Sequence, residues 1–290
     1  MQTKAFFLPA ELAEGGQRFC LFYPAECGQN GGAICGLVLY IHPFAEEMNK
    51  SRRMAALQAR ALSKAGYAVL QMDLLGCGDS SGDFGDATWQ SWVDDVIQAC
   101  HWLDSQADLQ GQDGRKAPLW LWGLRAGCLL AVEAASQFKE PCNFLFWQPP
   151  SAGKPLLQQF LRLKLAGDLL GGQAKGVMEH MRRQLADGLP VEIAGYSLSA
   201  ALAAGLERAA LLPPSNASHG RRVEWLELST REDSGLSPAS TKTLAQWQQA
   251  DVAVRSHMVT GPAFWQTSEI EEAPALVAAT LEALNSVVPA

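Results

Sequence analysis

The sequence predicts an α/β fold, a mostly parallel twisted sheet of seven or eight strands with helices on both faces and a helical cap insertion. Three observations carry this expectation. Short apolar, β-branched or aromatic runs alternate with helical patterns along the chain. Several of those runs, such as Ile34-Cys35-Gly36-Leu37-Val38-Leu39-Tyr40-Ile41, are almost wholly apolar, the mark of a strand buried on both faces. The alternation breaks from about Ser151 to Ser218, so the core is assigned to 1–150 and 219–290 and the cap to 151–218.

In order, Phe19 to Tyr23 reads as an early strand of an antiparallel ribbon, stopped by Pro24. The run to Ile41 follows, then a helix from about Ser51 to Lys64, closed by Gly66. Ala68 to Asp73 is a strand. Thr88 caps a helix running to about Ser105, and Asp94 and Asp95 suit the positive end of its dipole. Leu119 to Trp122 is a strand, Gly127 to Phe138 a helix and Asn143 to Trp147 a strand. In the cap, Leu156 to Leu165 and Val177 to Leu185 are helical. Breakers stand at Gly171-Gly172, Gly188, Pro190 and Pro213-Pro214. The core resumes with Val223 to Leu228, a helix near Thr241 to Gln249, the strand Val252 to Val259 and a last helix from Pro274 to Leu284.

The 290 residues are 48% hydrophobic and 18% charged, which excludes a disordered chain. A net charge of −7 with no basic run longer than an arginine pair argues against nucleic acid. No apolar stretch is long enough to span a bilayer, and the start, Met1 to Pro9, lacks the apolar segment of a signal peptide. Seven cysteines, at 20, 27, 35, 77, 100, 128 and 142, show no CxxC spacing and read as reduced thiols of a cytoplasmic protein. The five histidines, 42, 101, 180, 219 and 257, show no ligand spacing, so neither a metal nor a cofactor is expected.

Three stretches carry a resemblance. Tyr40-Ile41 runs into His42-Pro43-Phe44, similar to a His-containing loop that helps build an oxyanion hole. Asp73-Leu74-Leu75-Gly76-Cys77-Gly78-Asp79-Ser80-Ser81-Gly82 resembles a D-x-x-G-x-G-x-S-x-G turn. Gly123-Leu124-Arg125-Ala126-Gly127, between a strand and a helix, has the frame of the nucleophile elbow G-x-S-x-G. In this order they resemble the α/β-hydrolase fold. More narrowly, His42 to Asn49, Gly76 to Ser80, Trp122 to Gly127, Phe146-Trp147-Gln148-Pro149-Pro150 and Gly261 to Gln266 resemble the exosortase A system-associated hydrolase 2 group. That resemblance implies a bacterial protein accessory to a protein-sorting (PEP-CTERM) and exopolysaccharide system.

The chemistry departs from the frame. Arg125 stands where the nucleophile should be, and a guanidinium has no free lone pair to attack a carbonyl. The loop after the last strand, Gly261-Pro262-Ala263-Phe264-Trp265, holds no histidine, and His257 lies inside that strand with a structural role. Glu232 and Asp233 could supply an acid, but a carboxylate with no Ser–His pair to orient is not a triad. A buried guanidinium needs a counter-charge. Glu46 and Glu47, expected in the loop after His42, and Asp79 are the nearest in this topology. Either Arg125 closes a structural network with one of them, or it forms an anion site with the helix N-terminus behind it.

Two further readings remain beside a degenerate hydrolase that binds a small anionic or glycan-linked ligand through Arg125, His42, Phe44, Glu46, Glu47, Asp79 and Trp265. One is an active hydrolase of ester, thioester or amide bonds with an unorthodox nucleophile: Ser197 in Gly195-Tyr196-Ser197-Leu198-Ser199, Cys77 or Cys128, aided by His42. The other is a scaffold whose cap docks a partner protein.

Overall fold

The computed structural model describes residues 2–10, 16–26, 33–106, 116–169, 176–214 and 221–286. Cys27, Gly171-Gly172, His219 and the cap boundary at Ser218 lie outside the described residues.

The N-terminal ribbon is β1 (Lys4–Pro9) against β2 (Gln17–Tyr23), antiparallel, and β2 joins β4 (Tyr67–Met72) antiparallel as well. From there the sheet is parallel, through β3 (Gly36–Ile41), β5 (Leu119–Leu124), β6 (Asn143–Trp147), β9 (Arg222–Ser229) and β10 (Ala253–Thr260). The eight strands lie in the order β1-β2-β4-β3-β5-β6-β9-β10. Two of the eight are therefore the ribbon, which the sequence reading placed ahead of the sheet.

Helices cover both faces. α1 (Glu46–Lys64) and α8 (Pro274–Asn285) bury Met54, Leu62, Leu276 and Leu284 against Val38, Trp122 and Trp147. α2 (Trp89–Ser105), α3 (Ala126–Ala135) and α7 (Pro238–Gln249) cover the other face with Trp92, Leu129 and Trp247. The tryptophans pack within these layers; Trp122 meets Trp147 edge-on with centroids 4.7 Å apart. Among the described residues no helix is long and apolar enough to cross a membrane.

Between β6 and β9 the chain adds α4 (Gly153–Leu169), α5 (Val177–Ala186), the hairpin β7 (Val191–Ile193) and β8 (Tyr196–Leu198), and α6 (Ala200–Arg208). Leu156, Phe160, Ile193 and Leu202 join the same apolar cluster as α2 and α3.

Three local expectations need correction. α1 begins at Glu46 rather than Ser51, so Glu46 and Glu47 form its first turn and not a loop. Gly195-Tyr196-Ser197 is not an elbow; Ala194 and Gly195 both have positive φ, 50° and 84°, and make the tight turn of the β7–β8 hairpin. Thr88 does cap α2, accepting from the Ser91 N–H at 3.0 Å, but Asp95 serves a different purpose from dipole compensation. It is buried, pairs with Arg18 of β2 at 2.7 Å and accepts from the Leu75 N–H, tying the ribbon to the turn after β4.

Candidate functional site

The strand-to-helix turn after β5 has the backbone of an elbow. Arg125 sits at φ 55°, ψ −117°, a conformation costly for any residue with a Cβ. Its neighbours hold it there: the Arg125 N–H donates to the Trp147 carbonyl at 3.0 Å, and the Cys128 N–H donates to the Arg125 carbonyl at 3.0 Å. The flanking glycines are required by contact. A Cβ on Gly123 would lie 2.5 Å from the Cys128 nitrogen, and one on Gly127 would overlap the Ile41 carbonyl oxygen.

The side chain at that apex is tied down from three sides. The Arg125 guanidinium grips Glu47 of α1, with Nη2 3.1 Å and Nε 3.3 Å from Oε1. The same Nη2 donates to Gln159 Oε1 of α4 at 2.9 Å. The Trp265 ring, from the loop after β10, lies 5.8 Å from the guanidinium carbon. Burial pushes the Glu47 carboxyl above its ordinary value, and the Arg125 charge pulls it back. Burial likewise raises Glu46, one of whose carboxylate oxygens is buried without a partner.

The remaining space is small. A cavity of about 30 Å³ beside the elbow is bordered by Phe44, Glu46, Glu47, Arg125 and α4. That is room for about one water. Phe44 closes it from the core side, edge-on to Phe160 of α4 at 5.1 Å and to Phe84 at 5.5 Å.

The structure thus brings together Arg125, Glu46, Glu47, Phe44 and Trp265. It separates Asp79, which is exposed and donates its N–H to Asp73 at 3.1 Å. Asp73 in turn pairs with Arg52 at 2.9 Å. His42 is buried with both ring nitrogens engaged: Nδ1 lies 2.8 Å from the Pro43 carbonyl and Nε2 accepts from the Leu74 N–H at 3.3 Å. The first contact requires Nδ1 to carry the proton. Burial lowers the affinity of this ring for a second proton. Cys77 and Cys128 are buried thiols whose pKa burial raises, so neither is a ready thiolate. Ser197 is exposed on β8. Glu232 and Asp233 are exposed in the loop after β9. His257 contacts Glu224 at 3.0 Å, in a cluster with Arg222 and Arg255 at the β9–β10 edge. Among the described residues no three metal-ligating side chains gather.

Gln159 is not singled out by the sequence, and Gln266 appears there only as the end of a resembling stretch, with no role at the site. Gln159 reaches Arg125 across a separation of 34 residues, and Gln266 stands near enough to the Glu47 carboxylate to pull its pKa down. Neither carries a local signal of its role at the site, because each is brought there by tertiary docking.

Residues 32–167 match the family model described as serine aminopeptidase, S33. The human protein ABHD12B is 29% identical over 121 residues, 42% of this chain and 29% of that protein. This chain therefore matches less than a third of that relative's length. Est1E from Butyrivibrio proteoclasticus, solved with ferulic acid bound, superposes with a TM-score of 0.64 at 15% identity, covering 96% of this chain and 97% of that one. A soluble variant of monoglyceride lipase from Saccharomyces cerevisiae, solved with a substrate analogue, superposes with a TM-score of 0.62 at 17% identity, covering 98% and 95%. The chain has the α/β-hydrolase fold.

Proposed function

We propose that this α/β-hydrolase-fold protein does not hydrolyse through its elbow and acts as a binding member of its superfamily. One observation carries the reading. The apex of the elbow holds a guanidinium paired with Glu47 at 3.1 Å, where acyl transfer needs an oxygen or sulfur nucleophile. The other triad position agrees, because the loop after β10 presents the Trp265 ring to Arg125 instead of an imidazole. The Arg125–Glu47–Gln159 network is read as structural, a clasp between α1, the elbow and the segment inserted after β6, which serves as a cap.

The resemblance to the exosortase A system-associated hydrolase 2 group supports a role accessory to bacterial protein sorting and exopolysaccharide export. Cytoplasmic residence belongs to the same proposal. It is supported by the buried thiols of Cys20, Cys77, Cys100, Cys128 and Cys142, which stand outside any disulfide, as in a reducing compartment.

Treating the full chain with a fluorophosphonate probe and a panel of ester, thioester and amide substrates tests the reading. The expected result is no covalent adduct and turnover at the buffer rate, unchanged in Arg125→Leu. A labelled serine or cysteine, or turnover abolished by Ser197→Ala, Cys77→Ala or Cys128→Ala, would overturn it.

A further inference from the structure

A larger cavity lies apart from the elbow. α1 packs over β3 and β4 and leaves a trough of about 230 Å³ between its flank and β2. No residue that borders the space beside Arg125 borders this one. Its floor is apolar and aromatic, with Leu21, Tyr23 and Tyr40. Its wall is α1, which contributes Ala56 and two guanidiniums, Arg52 and Arg60.

The charges in the trough do not cancel. Arg52 is balanced by Asp73 at 2.9 Å. Arg60 is exposed, and among the described residues no carboxylate pairs with it. At the inner end, His42 adds no charge, since burial disfavours its protonated form. One net positive charge therefore stands over an apolar floor. Gln71 also borders the floor.

We infer that this trough binds an amphipathic monocarboxylate, a medium-length acyl acid whose tail lies along Leu21 and Tyr23 and whose carboxylate meets Arg60. A guanidinium takes a carboxylate through two parallel N–H bonds, and the single uncompensated charge selects a monoanion. The inference is independent of whether the elbow hydrolyses anything, because the two sites share no lining residue.

Calorimetric titration of the full chain with octanoate tests it, with octanamide as the uncharged probe and inorganic phosphate as a headgroup without a tail. Octanoate should bind saturably at one site, with octanamide and phosphate each at least about tenfold weaker. Arg60→Gln, at an exposed position, should weaken octanoate by about tenfold. Leu21→Trp, which fills the trough, should abolish binding. An absence of saturable heat with octanoate overturns the inference. So does binding undiminished in Arg60→Gln, which places the acid elsewhere, or phosphate binding as tightly as octanoate, which removes any role for the apolar floor.

Discussion

Two strand-to-helix turns stand side by side at the carboxyl end of the sheet. The one after β3 passes through Ala45 at φ 50°, ψ −128°; the one after β5 passes through Arg125 at φ 55°, ψ −117°. Their backbones are nearly the same, and each carries a conformational cost of roughly 1–3 kcal/mol. Their side chains are opposites, a buried methyl and a guanidinium. The first turn also launches α1, which delivers Glu47 to face the second. Side by side, they show that a strained apex at this sheet edge is an architectural joint. It persists where no nucleophile is present, held by the hydrogen bonds of its neighbours, and so its geometry alone does not signal catalysis.

The comparison can be broken most severely at the joint itself. Gly127→Ala forces a Cβ into the Ile41 carbonyl and should cost about 3 kcal/mol or more, read as a large drop in the denaturation midpoint. If Gly127→Ala is tolerated, the two turns are not rigidly braced against each other.

Next in size is the charge that joins them. Glu47→Gln strands a mostly buried guanidinium and should cost about 3 kcal/mol, while Glu47→Gln/Arg125→Leu should recover most of that loss. A double variant no more stable than Glu47→Gln would mean that the pair contributes little. Arg125→Leu alone leaves the carboxylate without its cation, so the Glu47 pKa should climb further above its ordinary value. A carboxyl raised in the folded state costs nothing below its unfolded pKa. The penalty accumulates as pH rises towards the folded pKa and is complete above it. The melting-temperature gap between Arg125→Leu and the parent should therefore widen as pH rises from about 4 to 7. A gap that narrows over this range would refute that sign.

The smallest effect sharpens the other turn. Ala45→Gly removes the Cβ that makes the conformation costly and should be neutral or stabilising by up to about 1 kcal/mol. A loss of stability would show that packing of the Ala45 methyl outweighs its backbone strain.

Much of this arrangement was legible in the residues. The Gly123-x-x-x-Gly127 frame placed Arg125 at the apex, because only glycine fits the two crossing points, and the long apolar runs marked the central strands. The β3–α1 turn is opaque to the sequence because Glu46, Glu47, Asn49 and Lys50 have the polarity of a loop, which moves the expected helix start to Ser51. Only tertiary contacts show that Glu47 is buried against Arg125 and Met48 is core. The β7–β8 hairpin was missed for a related reason. Val191 to Ala194 followed by Gly195-Tyr196-Ser197 matches strand-then-elbow locally, and what excludes it is pairing with a partner strand two residues away. Gln159, Gln266 and the trough beneath Arg60 depend on which elements dock, information that no short window contains.

The clasp at Arg125 also bears on anyone who would engineer turnover into this scaffold. Writing serine at the apex in one step deletes the cation that keeps a sequestered acid tolerable, and it still meets an indole where an imidazole must stand. A designer would have to exchange position 125, neutralise Glu47 and rebuild position 265 together, since each lone replacement starts from a less stable protein with no gain in rate.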